Sequence, residues 1–232
     1  MSELYVDRTR TLGNLLSMAQ PPLQVPDWQC GYNWDSAAVE HLWQELISLF
    51  ERCQTNSDPG NDYCLGRVVL ALQPGCTTIL DGQHRLTTAT ILLSVLRDFL
   101  SRQPGGFANA LQQRFIQGYN QAIGAFAFKL TLSSVDRDFF RGEVQYDSGA
   151  VKPVVMTKSH QLIRNAKNLL RDRLEAQCAL LKGVTALAWA LSLQEILASR
   201  VKFKTEVTLW SHAMRLPQTR DDSPRLVAPP AR

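Results

Sequence analysis

The stretch Thr77–Thr88, Thr-Thr-Ile-Leu-Asp-Gly-Gln-His-Arg-Leu-Thr-Thr, constrains this chain more than any other. Thr77 to Leu80 is a short apolar run that reads as a buried strand. It stops at Asp81-Gly82, a turn pair, because Gly accepts positive φ and Asp hydrogen-bonds its own backbone. Leu86, Ala89, Leu92, Leu93 and Leu96 then recur at the spacing of one helix face. The segment therefore predicts strand, tight polar loop and helix, with a carboxylate, an amide, an imidazole and a guanidinium crowded into the loop.

That layout suits an anion. The first backbone N–H groups of a helix have no partner within it and carry the positive end of its dipole, so a phosphate can be held there by backbone donors. Arg85 offers a permanently charged fork, and the Thr87 and Thr88 hydroxyls offer further donors. Asp81 can hold Mg²⁺ or orient a water, and His84 is a candidate for proton transfer or phosphate contact. The same residues also read as a plain turn at Asp81-Gly82, a helix cap at Thr87 and a surface ion pair at Arg85, and the local pattern leaves both readings open.

Composition narrows the class. The 232 residues, 45% hydrophobic and 20% charged, suit an ordinary globular protein of one large domain or two small ones. No apolar run is long enough for a bilayer and the N-terminus has no signal pattern, so the expectation is a cytoplasmic protein without a membrane partner. Five cysteines (Cys30, Cys53, Cys64, Cys76 and Cys178) lack Cys-x-x-Cys spacing and support neither a zinc site nor a disulfide framework. Residues 151–232 hold 14 Lys/Arg against 6 Asp/Glu, whereas the first 150 hold 11 against 15. The basic part suits either a solvated helix surface or contact with nucleic acid.

Along the chain, Thr11 to Ala19 reads as a helix ended by Pro21-Pro22, and Leu23 to Pro26 as extended. An aromatic-rich loop, Asp27 to Trp34, precedes a helix capped at Asp35 or Ser36 and carrying Val39, Leu42, Trp43, Leu46, Ile47 and Phe50. Residues 64–72 read as a strand, and Gln73-Pro74-Gly75 turns it back into Thr77–Leu80 as a hairpin. Pro104-Gly105-Gly106 is the clearest break. Beyond it, Phe107 to Phe128, His160 to Leu181 and Val184 to Ala198 read as helices, Asp136 to Arg141 as a short turn, and Val201 to Val207 as a possible strand; Asp136-Arg137-Asp138 suits a charged site, though helix-end capping explains it more simply. Trp210 to Arg232 has no sustained period and reads as disordered.

Two boxes give the chain a family likeness. The first runs Val25-Pro26-Asp27-Trp28-Gln29, then Tyr32-Asn33-Trp34; Leu42-Trp43 with Leu46 and Leu65-Gly66 follow; Asp81-Gly82-Gln83-His84-Arg85-Leu86-Thr87-Thr88 completes the set. Over Thr11–Leu100 this resembles the N-terminal domain of GmrSD-type modification-dependent restriction endonucleases, whose signature pairs Ile-Pro-x-Tyr-Gln-Arg-x-Tyr-x-Trp with Asp-Gly-Gln-Gln/His-Arg-Leu-Thr-Thr. The resemblance implies an α/β fold: a small ParB/sulfiredoxin-like mixed core over residues 1–103, a mostly helical continuation over 107–207, and an aberrant or disordered tail over 208–232. It also implies a nucleoside triphosphate of unspecified base, with Mg²⁺, bound at Gln29, Tyr32, Trp34, Gln83, Arg85, Thr87 and Thr88. Asp81, His84 and Arg85 would form the catalytic and metal end, Asp81 being the metal ligand.

The likeness further implies a part in restriction of modified foreign DNA, including phage DNA, with modified DNA and a separate nuclease subunit as possible partners. Two departures bear on this. Cys30 stands where the family's first box has Arg, and a neutral thiol supplies neither the fork nor the charge of a guanidinium. The nuclease domain that usually follows in the family is missing from this sequence; a trace such as Ser211-His212-Ala213 gives way to Pro- and Arg-rich residues. Three readings stay open: an NTP-binding and hydrolysing domain, a non-catalytic nucleotide sensor or specificity module, and a truncated remnant.

Overall fold

The computed structural model describes residues 6–17, 21–55, 62–121, 123–146, 153–181 and 184–213. The expected loop at 56–61 and the tail at 214–232 lie outside the described residues. A mixed six-stranded sheet forms the centre, in the order β1 (Val6–Thr11), β8 (Val201–Leu209), β3 (Tyr63–Gln73), β4 (Cys76–Asp81), β2 (Leu23–Gln24) and β7 (Leu130–Thr131). β3 and β4 form the antiparallel hairpin that their sequence predicts, with Gln73 opposite Cys76. β8 inserts between β1, which it meets antiparallel, and β3, which it meets parallel. Strands from both sides of Pro104 therefore share one sheet.

α3 (Gln83–Leu100) is the central helix. Leu86, Ile91, Leu92, Leu93 and Leu96 are fully buried, and Thr87, Thr90 and Ser94 are buried as well, because helices enclose it on several sides. The buried hydroxyls cost little here: Thr87, Thr88, Thr90 and Ser94 each donate to a carbonyl three or four residues earlier. α2 (Ser36–Thr55) packs Val39, Leu42, Trp43 and Leu46 inward, and Asp35 accepts the Ala38 N–H at 2.9 Å as its cap. α6 (Lys158–Leu180) and α7 (Val184–Arg200) complete the helical layer. Arg97 of α3, only 3% exposed, ties this layer together by donating to the carbonyls of Val144, Gln145 and Tyr146. Among the described residues no helix is long and apolar enough to cross a membrane.

Three expectations are corrected. The helix expected over Phe107–Phe128 lasts only as α4 (Phe107–Leu111) and a π-helical turn, Gln112–Ile116. The chain then forms a hairpin of β5 (Gln117–Asn120) and β6 (Ala125–Phe128), with Gly124 at φ +62° between them. Tyr119, Phe126 and Phe128 are strand formers, and an αL glycine is a turn residue; both outweigh the helical spacing of the apolar positions. Asp136 lies in a helix, α5 (Ser134–Phe140), rather than a short turn. Finally, Trp210–Ala213 form a helical turn, α8, that packs on β3 and β8.

Candidate nucleotide site

β7, β2 and β4 run parallel, so the segments leaving their carboxyl ends gather at one edge of the sheet. Val25–Trp34 comes from β2, Asp81–Arg85 from β4, and Leu132–Asp136 from β7. Open α/β sheets take ligands outside the carboxyl ends of such strands. Gln29 stitches two of the segments: its Nε2 donates to the Ile79 and Leu80 carbonyls at 3.1 and 2.9 Å. Asp27 stitches another pair by accepting the Ser134 N–H at 2.6 Å, which with Arg137 nearby holds its carboxyl below the usual range.

At the centre of this edge, Gly82 starts α3. Its φ is +91°, and a Cβ there would sit 2.8 Å from the Arg67 carbonyl, so both backbone conformation and space require glycine. Among the described residues no side chain caps the helix. Leu86 N–H reaches the Gly82 carbonyl at 3.2 Å, so the amides that precede it in the first turn are those of Gln83, His84 and Arg85. Arg85 lies over Gly66, where a Cβ would come within 3.0 Å of its Nε, and makes a long 3.5 Å contact to the Arg67 carbonyl. Asp81 is the half-buried last residue of β4, opposite Val69.

His84 is 3% exposed and neutral, its imidazole pushed down to about 4 by burial and then by Arg85 beside it. Tyr32 meets it edge-on, with ring centroids 5.8 Å apart, and Cys30 Sγ lies 4.0 Å from its Nε2. The Tyr32 hydroxyl bonds Thr88 Oγ1 at 2.8 Å, and burial raises its phenol well above the ordinary range. The side-chain oxygens Gln29 Oε1 and Gln83 Oε1 are buried with no hydrogen-bond partner among the described residues.

The structure brings Gln29, Tyr32, Asp81, Gln83, His84 and Arg85 to one place. Thr87 and Thr88, expected as phosphate donors, use their hydroxyl protons on the Gln83 and His84 carbonyls, at 2.7 and 2.9 Å. Trp34 is 9% exposed and belongs to the core, whereas Trp28 stands 48% exposed. Helix-end capping, the simpler of the two readings of Asp136-Arg137-Asp138, is corrected for Asp136. Its carboxylate instead accepts the Tyr32 N–H at 2.8 Å and the Ser159 hydroxyl at 2.5 Å. The partners lie far away in sequence, so no local spacing signals the role.

An α/β protein with a polar ligand edge beside an uncapped helix is the class that these observations define. The model of the family "GmrSD restriction endonuclease, N-terminal domain" matches residues 12–212, and the chain belongs to that family. Membership makes it a module of restriction and defence systems. No curated protein matches the chain.

Proposed function

We propose that the chain binds a nucleoside triphosphate at this edge, with the phosphates against the first-turn amides of α3 and Arg85. The observation that carries the reading is the uncapped, glycine-started N-terminus of α3, buried in a site where both flanking glutamines keep an unsatisfied oxygen. Backbone N–H groups and the helix dipole hold phosphate oxygens, and the Arg85 fork adds charge. Gln29 Oε1 and Gln83 Oε1, which can only accept, suit hydroxyl or amine donors of a sugar or base.

Asp81 is the carboxylate that fits Mg²⁺, a cation that takes one or two carboxylates and completes its shell with phosphate oxygens and water. Among the described residues no group of three or more His, Cys, Asp or Glu side chains is placed to hold a metal, so the ion would arrive with the phosphates. When bound, it neutralises phosphate charge. His84 serves as a neutral imidazole, orienting rather than attracting the anion, because burial and Arg85 disfavour its cation. Cys30 supplies no charge beside the phosphates, which favours binding over rapid turnover. In this reading the chain is a nucleotide-responsive module, with modified DNA as the system's target and a nuclease on a separate chain as its partner.

The test is binding of ATP, GTP, CTP and UTP with Mg²⁺ to the purified chain and to an Asp81→Ala, Arg85→Ala double variant. At least one nucleotide should bind, and the double variant should lose about 100-fold in affinity at little cost in melting temperature. Phosphate release measured alongside decides between turnover and sensing. A folded chain that binds none of the four overturns the proposal.

A further inference from the structure

We propose that Asp136 is the positioning residue that holds the Gln29–Tyr32 segment over the N-terminus of α3. The proposal rests on the nucleotide reading, since this segment is one wall of that site. Asp136 is 1% exposed, and both of its oxygens are engaged by other parts of the chain. Oδ2 accepts the Tyr32 N–H at 2.8 Å, and Oδ1 accepts the Ser159 hydroxyl at 2.5 Å with His160 Nε2 at 3.7 Å. Between them the backbone at Gly31 is pressed close: a Cβ there would lie 2.9 Å from Ser159 Oγ and 3.0 Å from Asp136 Oδ2. The segment is thus fixed both by a bond at Tyr32 and by contact at Gly31.

What this fixes is the wall itself. Gln29 bridges the last carbonyls before Asp81, Cys30 Sγ faces His84, and the Tyr32 ring and hydroxyl lie against His84 and Thr88. A carboxylate suits the task because two donors from distant segments converge on it and it has no proton of its own to place. Its buried charge is tolerated because Asp136 lies in the first turn of α5 and Ser159 in the first turn of α6, where helix dipoles favour an anion. The arrangement also links the first turn of α6 directly to the site wall.

The test uses the full chain as Asp136→Ala, Asp136→Asn and Ser159→Ala variants, read by amide hydrogen exchange and by nucleotide affinity. Asp136→Ala should speed exchange across residues 29–32 by about tenfold or more, leave α2 and α7 protected, and weaken nucleotide binding by about tenfold. Asp136→Asn should restore both to near the original values. Its amide oxygen still accepts from Tyr32, and its NH₂ can donate to a Ser159 hydroxyl that has turned round. Ser159→Ala should fall between them and carries the test if Asp136→Ala does not fold. Unchanged exchange at 29–32, or faster exchange with unchanged affinity, overturns the proposal. A starting chain that binds no nucleotide overturns the nucleotide reading instead, and the exchange arm then judges the Asp136 latch alone.

Discussion

Two helix N-termini meet at this edge of the sheet, and they are built in opposite ways. α6 begins with Thr157, whose Oγ1 accepts the His160 N–H at 3.1 Å. The His160 ring stacks on Phe139 at 4.3 Å, and its nitrogens meet the Met156 N–H and the Val135 carbonyl. α3 begins with a left-handed glycine, has no side-chain cap, and is flanked by two buried glutamine oxygens without partners among the described residues. Buried polar atoms in native proteins are nearly always paired. The contrast separates a helix end paired through its own side chains from one without a side-chain cap among the described residues, and it favours the nucleotide reading.

The largest expected effect lies in His84, the histidine buried at the start of α3. His84 is held down to about 4, against 6.5 unfolded, chiefly by burial. The unfolded chain therefore takes up a proton near pH 6.5 that the folded chain refuses until about pH 4. Stability from this group is complete above pH 6.5 and falls as pH drops toward 4, by on the order of 3 kcal/mol across the window. Urea denaturation from pH 7.5 down should show this slope in the original chain and lose it in His84→Gln, with the carboxylate contributions common to both. Parallel curves would show that His84 is not the group that titrates.

The next effect in size tests the glycine that leaves α3 uncapped. Gly82→Ala forces a side chain into φ +91° and brings its Cβ to 2.8 Å from the Arg67 carbonyl. It should cost about 2–3 kcal/mol, read as a lower urea midpoint at unchanged slope. An unaltered midpoint would mean that α3 can start elsewhere, and with it the claimed geometry of the site would fall.

These two ends also show what a sequence can and cannot carry. The strand, turn and helix over Thr77–Leu100 were legible because turn chemistry and helix periodicity are local. So was the Asp27–Trp34 loop, through its run of aromatic residues about a glycine. The true start of α3 was not legible: Leu86 opens the apolar stripe, but the helix begins three residues earlier, at Gln83, behind the left-handed Gly82. Thr87 and Thr88 looked like donors because a threonine's partner, here the helix's own carbonyls, does not show in composition. Asp136 was hidden for a different reason. Its partners, Tyr32 and Ser159, meet it only because β2 and β7 are parallel neighbours and α6 returns to the same edge. Likewise, β8 was expected as a strand, but its place between β1 and β3 is a long-range pairing that no local pattern specifies.

The smallest effect sharpens the comparison from the completed end. Thr157→Ala removes the acceptor for the His160 N–H and the donor toward Ser159 Oγ, 2.9 Å away, but leaves the Ser159–Asp136 bond standing. Loss of such a cap costs about 1 kcal/mol, which in a domain of this size lowers the melting temperature by about 2–4 °C. Thr157→Ser keeps the hydroxyl and should recover most of that loss. Because the bond that holds the Gln29–Tyr32 segment survives, nucleotide affinity in Thr157→Ala should stay within about twofold of the original. A larger loss of affinity than of stability would show that the start of α6 is part of the binding site, and the division between the two helix ends would have to be redrawn.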